Sequence, residues 1–270
     1  MNCLMCGKPT VERVVGKSTF AQCACGFARL RASGKGDAYW EGRDGDSVNH
    51  TWADTQDALF NAVLRELAGK APAGASIYDV GGGIGYFTEL ALAQGFDAHN
   101  VELSEVACAR ARDRIGAQRV HTSVAGMAPA DVVTLWCVIG HTPDPGVFLD
   151  EVRAALKPGG WLFLTTPNWR FQAMLARVLG LRGRTINFER QDHISMFTRD
   201  SLTRLLASRG FREPVFGAWG VKERCVALGD SRAGAAVQAK RRWNQGWSRV
   251  GGPLPVDLTS EFQVLARYEP

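Results

Sequence analysis

The feature that most constrains the fold of this chain is a glycine-rich turn at residues 81–85. An apolar run with β-branched residues, from Ile77 to Val80, stops at three consecutive glycines, and a helical pattern begins at Tyr86. This order predicts a buried strand, a tight turn and the N-terminus of a helix. Glycine is needed where the backbone bends sharply and a ligand comes close, because a Cβ atom would clash there. The N–H groups of the first helical turn then face that ligand.

The spacing of the glycines distinguishes this turn from two other nucleotide-binding loops. The dinucleotide fingerprint G-x-G-x-x-G would require a glycine where Tyr86 stands. A P-loop would require a Lys-Ser or Lys-Thr pair after the turn, and neither is present. The pattern that does occur is D-x-G-x-G-x-G, formed by Asp79, Gly81, Gly83 and Gly85.

That pattern resembles motif I of the class I methyltransferases that depend on S-adenosylmethionine (SAM). In that family the loop holds the carboxypropyl and ribose parts of SAM, and the resemblance places Asp79 near the amino group of the ligand. Glu102 follows Asp79 by 23 residues and ends the next predicted strand, where an acidic residue accepts hydrogen bonds from ribose hydroxyls. Residues 102–104 are similar to the family's second motif. A glycine turn that binds nothing and a solvated glutamate are the alternatives.

The resemblance implies further cofactor contacts and one departure. The complete predicted cofactor set is Asp79, Gly81, Gly83, Gly85, Tyr86, Phe87, Glu102, Leu103 and Trp136. Trp136 lies in the fourth predicted strand, and the Lys-Pro-Gly-Gly turn at 157–160 is a further family hallmark. Many relatives carry an acidic residue for the adenine amino group after the third strand, where this chain has Thr122 and Ser123. Adenine recognition is therefore left open.

Strands and helices alternate from about residue 76, which predicts parallel βαβ units. The predicted fold class is α/β, with a Rossmann-like seven-stranded methyltransferase sheet, helices on both faces and a small N-terminal zinc ribbon. In this family the last strand, predicted at 261–268, is usually antiparallel. The predicted domains are a zinc-ribbon-like module at 1–33, a linker and N-terminal helix at 34–75, and a methyltransferase domain at 76–270 with an acceptor-side insertion at 169–197.

Two cysteine knuckles near the N-terminus predict the zinc ribbon. The four cysteines are Cys3, Cys6, Cys23 and Cys25, and a glycine follows each knuckle. Four thiolates can hold one tetrahedral zinc ion, which would be structural because no coordination position is left open. The second knuckle is C-x-C, where the usual form is C-x-x-C. Four free cysteines in a disordered leader, or a redox pair, are the alternatives.

Two histidines are candidates for a catalytic base. Methyl transfer from SAM mainly requires that the acceptor and the methyl donor be positioned in line. A hydroxyl acceptor also needs a base to remove its proton. Histidine suits this role because its pKa is near neutral. His141 follows the fourth strand, and His193 belongs to a D-H-x-x-x-F-[ST]-x-x-S-L pattern that resembles small-molecule methyltransferases of the ubiquinone-biosynthesis type. We prefer His193, which lies in the acceptor-side insertion. A hydrogen-bonded loop histidine is the alternative for each.

These residues favour O-methylation of a small molecule, with a secondary-metabolite, sugar or quinone-like hydroxyl as the acceptor. The alternatives are an RNA methyltransferase, in which the ribbon and the basic cluster at 240–243 hold RNA, and a binding module without catalysis. The net charge of +5 decides little between them. No run of transmembrane length and no signal peptide is found, so we expect a cytoplasmic protein without a membrane partner.

Overall fold

The computed structural model describes residues 2–31, 57–188, 193–217, 219 and 259–270. In chain order its strands are β1 (Val11–Val15), β2 (Ser18–Gln22), β3 (Ala28–Leu30), β4 (Ser76–Val80), β5 (Asp97–Val101), β6 (Val120–His121), β7 (Ala130–Trp136), β8 (Leu156–Pro167), β9 (Ser195–Met196), β10 (Phe211–Gly217) and β11 (Glu261–Tyr268). Its α-helices are α1 (Asp57–Ala68), α2 (Tyr86–Ala93), α3 (Glu105–Ile115), α4 (Pro145–Ala154), α5 (Trp169–Gly180) and α6 (Arg199–Ser208).

The larger sheet has seven strands in the order β10-β11-β8-β7-β4-β5-β6. Strands β8, β7, β4, β5 and β6 are parallel, and β11 runs antiparallel to both β8 and β10. This arrangement confirms the predicted α/β methyltransferase sheet with an antiparallel last strand. It also brings the carboxyl ends of β4, β5, β7 and β8 to one edge, which is where open α/β sheets bind ligands.

The helices start where the local sequence supplies a cap. Ser104 caps α3 by accepting a hydrogen bond from the N–H of Ala107, and Asp144 caps α4 with a proline at the first helical position. Thr198 forms a capping box with Ser201 at the start of α6. Helix α1 buries one apolar face on the sheet, formed by Leu59, Phe60, Val63, Leu64 and Leu67. Within the described residues no helix is long and apolar enough to cross a bilayer.

The cysteine-rich segment forms a second, four-stranded sheet in the order β1-β2-β3-β9. Strands β1 and β2 lie between the two knuckles and pair with each other, whereas β9 comes from the acceptor-side insertion and pairs with β3. Side chains of the segment also enter the main core, where Cys3, Cys23 and Phe27 pack with Phe197 and Leu202. The N-terminal segment therefore shares both a sheet and a core with the methyltransferase domain.

One glycine of the N-terminal segment lies against the residue that caps α6. Gly26 has a φ of 93°, and a Cβ atom there would lie 2.2 Å from Oγ1 of Thr198, the residue that caps α6. Gly7 occupies the matching place after the first knuckle with a φ of 68°, and a Cβ atom there would have nothing within 4 Å.

This pair of glycines gives a matched test of the shared core. We expect Gly7→Ala to cost about 1 kcal/mol, because alanine is strained in the left-handed region. Gly26→Ala should cost roughly 1–3 kcal/mol more, because Thr198 must also move. Urea unfolding of the two variants measures both losses. Equal losses would contradict a tight junction between the segment and α6.

Candidate active site

The glycine-rich turn bends through the left-handed region at three positions. Gly81, Gly83 and Gly85 have φ values of 72°, 56° and 76°. The turn is also closely packed, because a Cβ atom on Gly81 would lie 2.5 Å from Cγ2 of Val138, in the segment that follows β7. The glycines therefore meet both a conformational and a steric requirement, and the turn lies directly against the end of the neighbouring central strand.

Glu102 fastens the end of β5 to the turn. Its Oε2 accepts a hydrogen bond of 2.9 Å from the N–H of Gly83, and its Oε1 accepts one of 2.9 Å from the N–H of Ser104. Each carboxylate oxygen can accept more than one hydrogen bond, so Glu102 keeps capacity for ribose hydroxyls. Leu103 beside it is 44% exposed, which leaves an apolar side chain able to cover a flat base.

Asp79 lies beneath the turn rather than on its surface. The residue is 1% exposed, and its Oδ1 accepts a hydrogen bond of 2.7 Å from the hydroxyl of Thr134. Burial raises the pKa of Asp79 to about 7, and the charge of Glu102 adds to the rise while the Thr134 hydroxyl opposes it. Asp79 thus supports the turn from below.

Asn100 is a supporting residue that the sequence reasoning missed. It is fully buried, lies opposite Asp79 on β5 and donates a hydrogen bond of 3.1 Å to the carbonyl of Gly83. Its strand also contains Asp97 and His99, so its position two residues before Glu102 was the only available signal. Asn100 and Glu102 together hold both the carbonyl and the N–H of Gly83.

The predicted aromatic contacts divide between the core and the surface of the site. Phe87 is 2% exposed, and its ring packs with Phe60 and Trp136. Because its ring lies in the core, Phe87 can offer a ligand only its backbone N–H, in the first turn of α2. Trp136 is half-buried in the same aromatic group, and the hydroxyl of Tyr86 donates to Oδ1 of Asp57.

The structure brings the two predicted histidines together. The rings of His141 and His193 have centroids 4.0 Å apart at an angle of 35°. The N–H groups of Ile194 and Ser195 both donate to the carbonyl of Gly140 at 2.9 Å, which fixes the chain beside His193. A Cβ atom on Gly140 would lie 2.7 Å from Cδ2 of His193. The absence of a side chain at Gly140 therefore makes room for the His193 ring.

Two further ionisable residues at this edge were missed by sequence reasoning. Cys137 follows β7 directly and has a φ of 66°, which costs a non-glycine residue about 1–2 kcal/mol. Its Sγ lies 3.7 Å from Nε2 of His193 and 3.9 Å from Oε2 of Glu261, the first residue of β11. The only available sequence signals were a cysteine after a central strand and an acidic residue starting an apolar one.

The first residues of the acceptor-side insertion lie in two different environments. Trp169 is 2% exposed and packs against Phe20 and Phe188, so it belongs to the core beneath the second sheet. Arg170 is exposed and lies 3.8 Å from Asp200. The basic cluster at 240–243 lies outside the described residues.

The four N-terminal cysteines converge as predicted. Their Sγ atoms all lie within 4.8 Å of one another, with Cys3 and Cys25 separated by 3.6 Å and Cys6 and Cys23 by 3.5 Å. Zn–S bonds of about 2.3 Å at a tetrahedral ion put neighbouring sulfurs about 3.8 Å apart, so the donor set fits zinc. A hydrogen bond from the N–H of Lys8 chiefly lowers the pKa of Cys6 to about 7, whereas burial raises the pKa of Cys3 and Cys25.

Comparison with known proteins identifies the family. A family model described as a methyltransferase domain matches residues 51–213, more than half of the chain. The ubiquinone biosynthesis O-methyltransferase of Bordetella avium is 30% identical over 129 residues, which cover 43% of this chain and 52% of the relative. The protein of the same name from Aromatoleum aromaticum is 33% identical over 118 residues, covering 40% and 50%. The chain thus spans about half the length of the curated relatives it matches.

Solved structures agree on the fold. The 1,6-didemethyltoxoflavin-N1-methyltransferase of Burkholderia thailandensis, solved with S-adenosylhomocysteine, superposes with a TM-score of 0.50 at 17% identity, covering 96% of this chain and 99% of that one. A SAM-dependent methyltransferase from Mesorhizobium loti gives a TM-score of 0.51 at 19% identity, covering 79% and 99%. At these identities the likeness shows the fold alone.

The buried carboxyl group predicts how stability depends on pH. The folded-state pKa of Asp79, about 7, lies above the value of about 3.9 in unfolded chains. Its contribution to stability is therefore complete below about pH 4 and is lost as the pH rises through 7. We expect the wild type to lose stability relative to Asp79→Asn over this window, by up to about 1.4 kcal/mol per pH unit.

Urea unfolding at several pH values between about 5 and 8 measures this difference. Asp113→Asn is the control, because Asp113 is an exposed aspartate on α3. A wild-type-minus-D79N difference that stays flat with pH would contradict the raised pKa.

Proposed function

The chain belongs to the methyltransferase-domain family, and from this premise we propose that it transfers the methyl group of SAM to a hydroxyl of a small molecule, with a quinone-like, sugar or secondary-metabolite acceptor. The observation that carries the proposal is the hydrogen bonding of the Glu102 carboxylate to the N–H of Gly83 at 2.9 Å. It ties a glycine turn and a ribose-binding carboxylate into one surface at the carboxyl ends of β4 and β5.

The residues of this surface receive different roles. Glu102 accepts the ribose hydroxyls, the backbone of the glycine turn lies along the carboxypropyl group, and Leu103 covers the adenine. Asp79 and Asn100 hold the turn from below. SAM supplies the reactive methyl group, so these residues contribute chiefly by orientation.

His193 is proposed as the base that removes the acceptor proton, with His141 stacked against it. The names of the relatives, which are O-methyltransferases, support a hydroxyl acceptor and hence the need for a base. His193 lies next to Cys137, which directly follows the central strand β7, so an acceptor held there is close to the cofactor turn. As the methyl group moves to the acceptor oxygen, the proton of that hydroxyl passes to His193.

Two variants separate cofactor binding from turnover. Glu102→Gln should weaken SAM binding by roughly 10- to 100-fold, because a hydrogen bond to a charged group contributes about 1.5–3 kcal/mol. His193→Asn should leave SAM affinity within about twofold and lower product formation by at least about 100-fold. Calorimetry with SAM and release of S-adenosylhomocysteine with 3,4-dihydroxybenzoate, a reduced quinone-like probe, measure the two effects.

The exposed Glu105→Gln is the matched control for Glu102, since it lies three residues away and is 70% exposed. The absence of SAM heat in the wild type would contradict the proposed function. Normal turnover by His193→Asn would contradict only the assignment of His193 as the base.

We further propose that Cys3, Cys6, Cys23 and Cys25 hold one structural zinc ion in a reducing compartment, the cytoplasm. Thiolates that bind zinc must lose their protons, which fits a site that forms on metal binding. Elemental analysis should find one zinc per chain in the wild type and less than about a tenth of that in Cys6→Ser, because a lost ligand opens the coordination shell. A metal-free wild type that unfolds at the same urea concentration as the untreated protein would contradict the structural role.

A further inference from the structure

Three separate stretches of chain bring an imidazole, a thiol and a carboxylate together at the carboxyl edge of the main sheet. Cys137 follows β7, His193 precedes β9, and Glu261 starts β11 opposite Pro167 at the end of β8. The thiol is the central member, 3.7 Å from Nε2 of His193 and 3.9 Å from Oε2 of Glu261. We call these three residues the thiol cluster.

The backbone directs the thiol into this position. A left-handed residue at the end of β7 would be unstrained as glycine, but this chain places a cysteine there. The N–H of Cys137 donates a hydrogen bond of 3.0 Å to Oγ1 of Thr165 on β8, which holds the turn. Cys137 is 5% exposed, so its Sγ interacts with protein groups rather than with bulk water. Strained residues that are held in this way are concentrated at functional sites.

The chemistry of the three groups fixes where the protons lie. An ionised carboxylate can only accept hydrogen bonds, so the S–H of Cys137 is the donor toward Glu261. The sulfur can then only accept from His193, which requires the proton of the neutral imidazole to be on Nε2. That leaves the lone pair on Nδ1 to receive a proton, since the partner of one ring nitrogen determines the state of the other.

In the part of the chain that the structure describes, Cys137 and His141 contact His193, and Glu261 contacts Cys137. Cys137 approaches from the end of β7, Glu261 from β11, and His141 from the loop before α4, with its ring centroid 4.0 Å from that of His193. A negative Glu261 favours the protonated form of His193, and a charged His141 opposes it. Only one of the two stacked rings is therefore expected to carry a charge at a time.

We propose that Cys137 and Glu261 are positioning residues that hold His193 with its proton on Nε2 and stabilise the imidazolium formed when Nδ1 takes the acceptor proton. This inference rests on the proposed function, in which His193 is the base. The proton of the acceptor hydroxyl moves to Nδ1 of His193, and the methyl group moves to the acceptor oxygen. The electron pair of the broken S–CH3 bond stays on the sulfur of the cofactor, which leaves as S-adenosylhomocysteine. Neither Cys137 nor Glu261 contacts the reacting atoms in this scheme.

The decisive experiment is a pH titration of the His193 ring by proton–nitrogen NMR on the full-length chain. The spectrum of His193→Asn assigns its signals among the five histidines. We expect the Nε2–H form at high pH in the wild type. Glu261→Gln should lower the pKa of His193 by at least about half a pH unit, because a nearby opposite charge is removed. The acidic limb of the kcat profile with 3,4-dihydroxybenzoate should move to lower pH by the same amount.

The thiol is tested with two substitutions. Cys137→Ser keeps a group that can both donate and accept and should preserve the wild-type titration, whereas Cys137→Ala should lower kcat by about tenfold with SAM affinity within twofold. Glu269→Gln, just beyond the other end of β11 and 53% exposed, is the control for Glu261. An Nδ1–H ring in the wild type, or an unchanged His193 pKa in Glu261→Gln, would overturn the proposal. The titration needs no acceptor, so this failure is distinct from a wild type that does not bind SAM.

Discussion

The structure depends on the contact between the glycine-rich turn and the strands on either side of it. On one side Glu102 accepts from the N–H of Gly83 and Asn100 donates to its carbonyl, so β5 holds the turn through both backbone groups. On the other side Gly81 lies so close to Val138 that no Cβ atom fits between them. Because Val138 directly follows Cys137, the cofactor turn and the segment that carries the thiol cluster form one packed unit. A displacement of the cofactor turn would therefore shift the segment after β7, and the reverse, because packed interiors leave little free space.

The N-terminal cysteine segment is joined to the same unit through the second sheet. The N–H of Leu30 on β3 donates to the carbonyl of Ile194, and the N–H of Ile194 donates to the carbonyl of Gly140. A continuous series of backbone hydrogen bonds thus runs from the segment to the residues that flank both histidines. The guanidinium of Arg29 also donates to the carbonyl of Pro143, close to His141. The segment is therefore joined by hydrogen bonds to the stretches of chain that carry His141 and His193.

Local patterns in the sequence were sufficient for the strands and helices that form the cofactor surface. The β-branched run that ends on glycine predicted β4, the turn and α2, and the predicted bounds of the last strand, 261–268, match β11. The pairing of Cys137 with Glu261 could not be predicted, since 124 residues separate them and only the sheet order brings them together. The burial of Asp79, the pairing of β9 with β3 and the space that Gly140 leaves for His193 likewise arise from tertiary contacts.

The most direct test of the account is a crystal structure of the protein with S-adenosylhomocysteine, which lacks the methyl group but keeps the ribose and the amino-acid tail. The account predicts ribose hydroxyls against the carboxylate of Glu102, the tail along the backbone of residues 81–85, and the sulfur on the side of the turn that faces Val138 and the thiol cluster. A nucleoside bound elsewhere, or bound here with its sulfur directed away from His193, would contradict it.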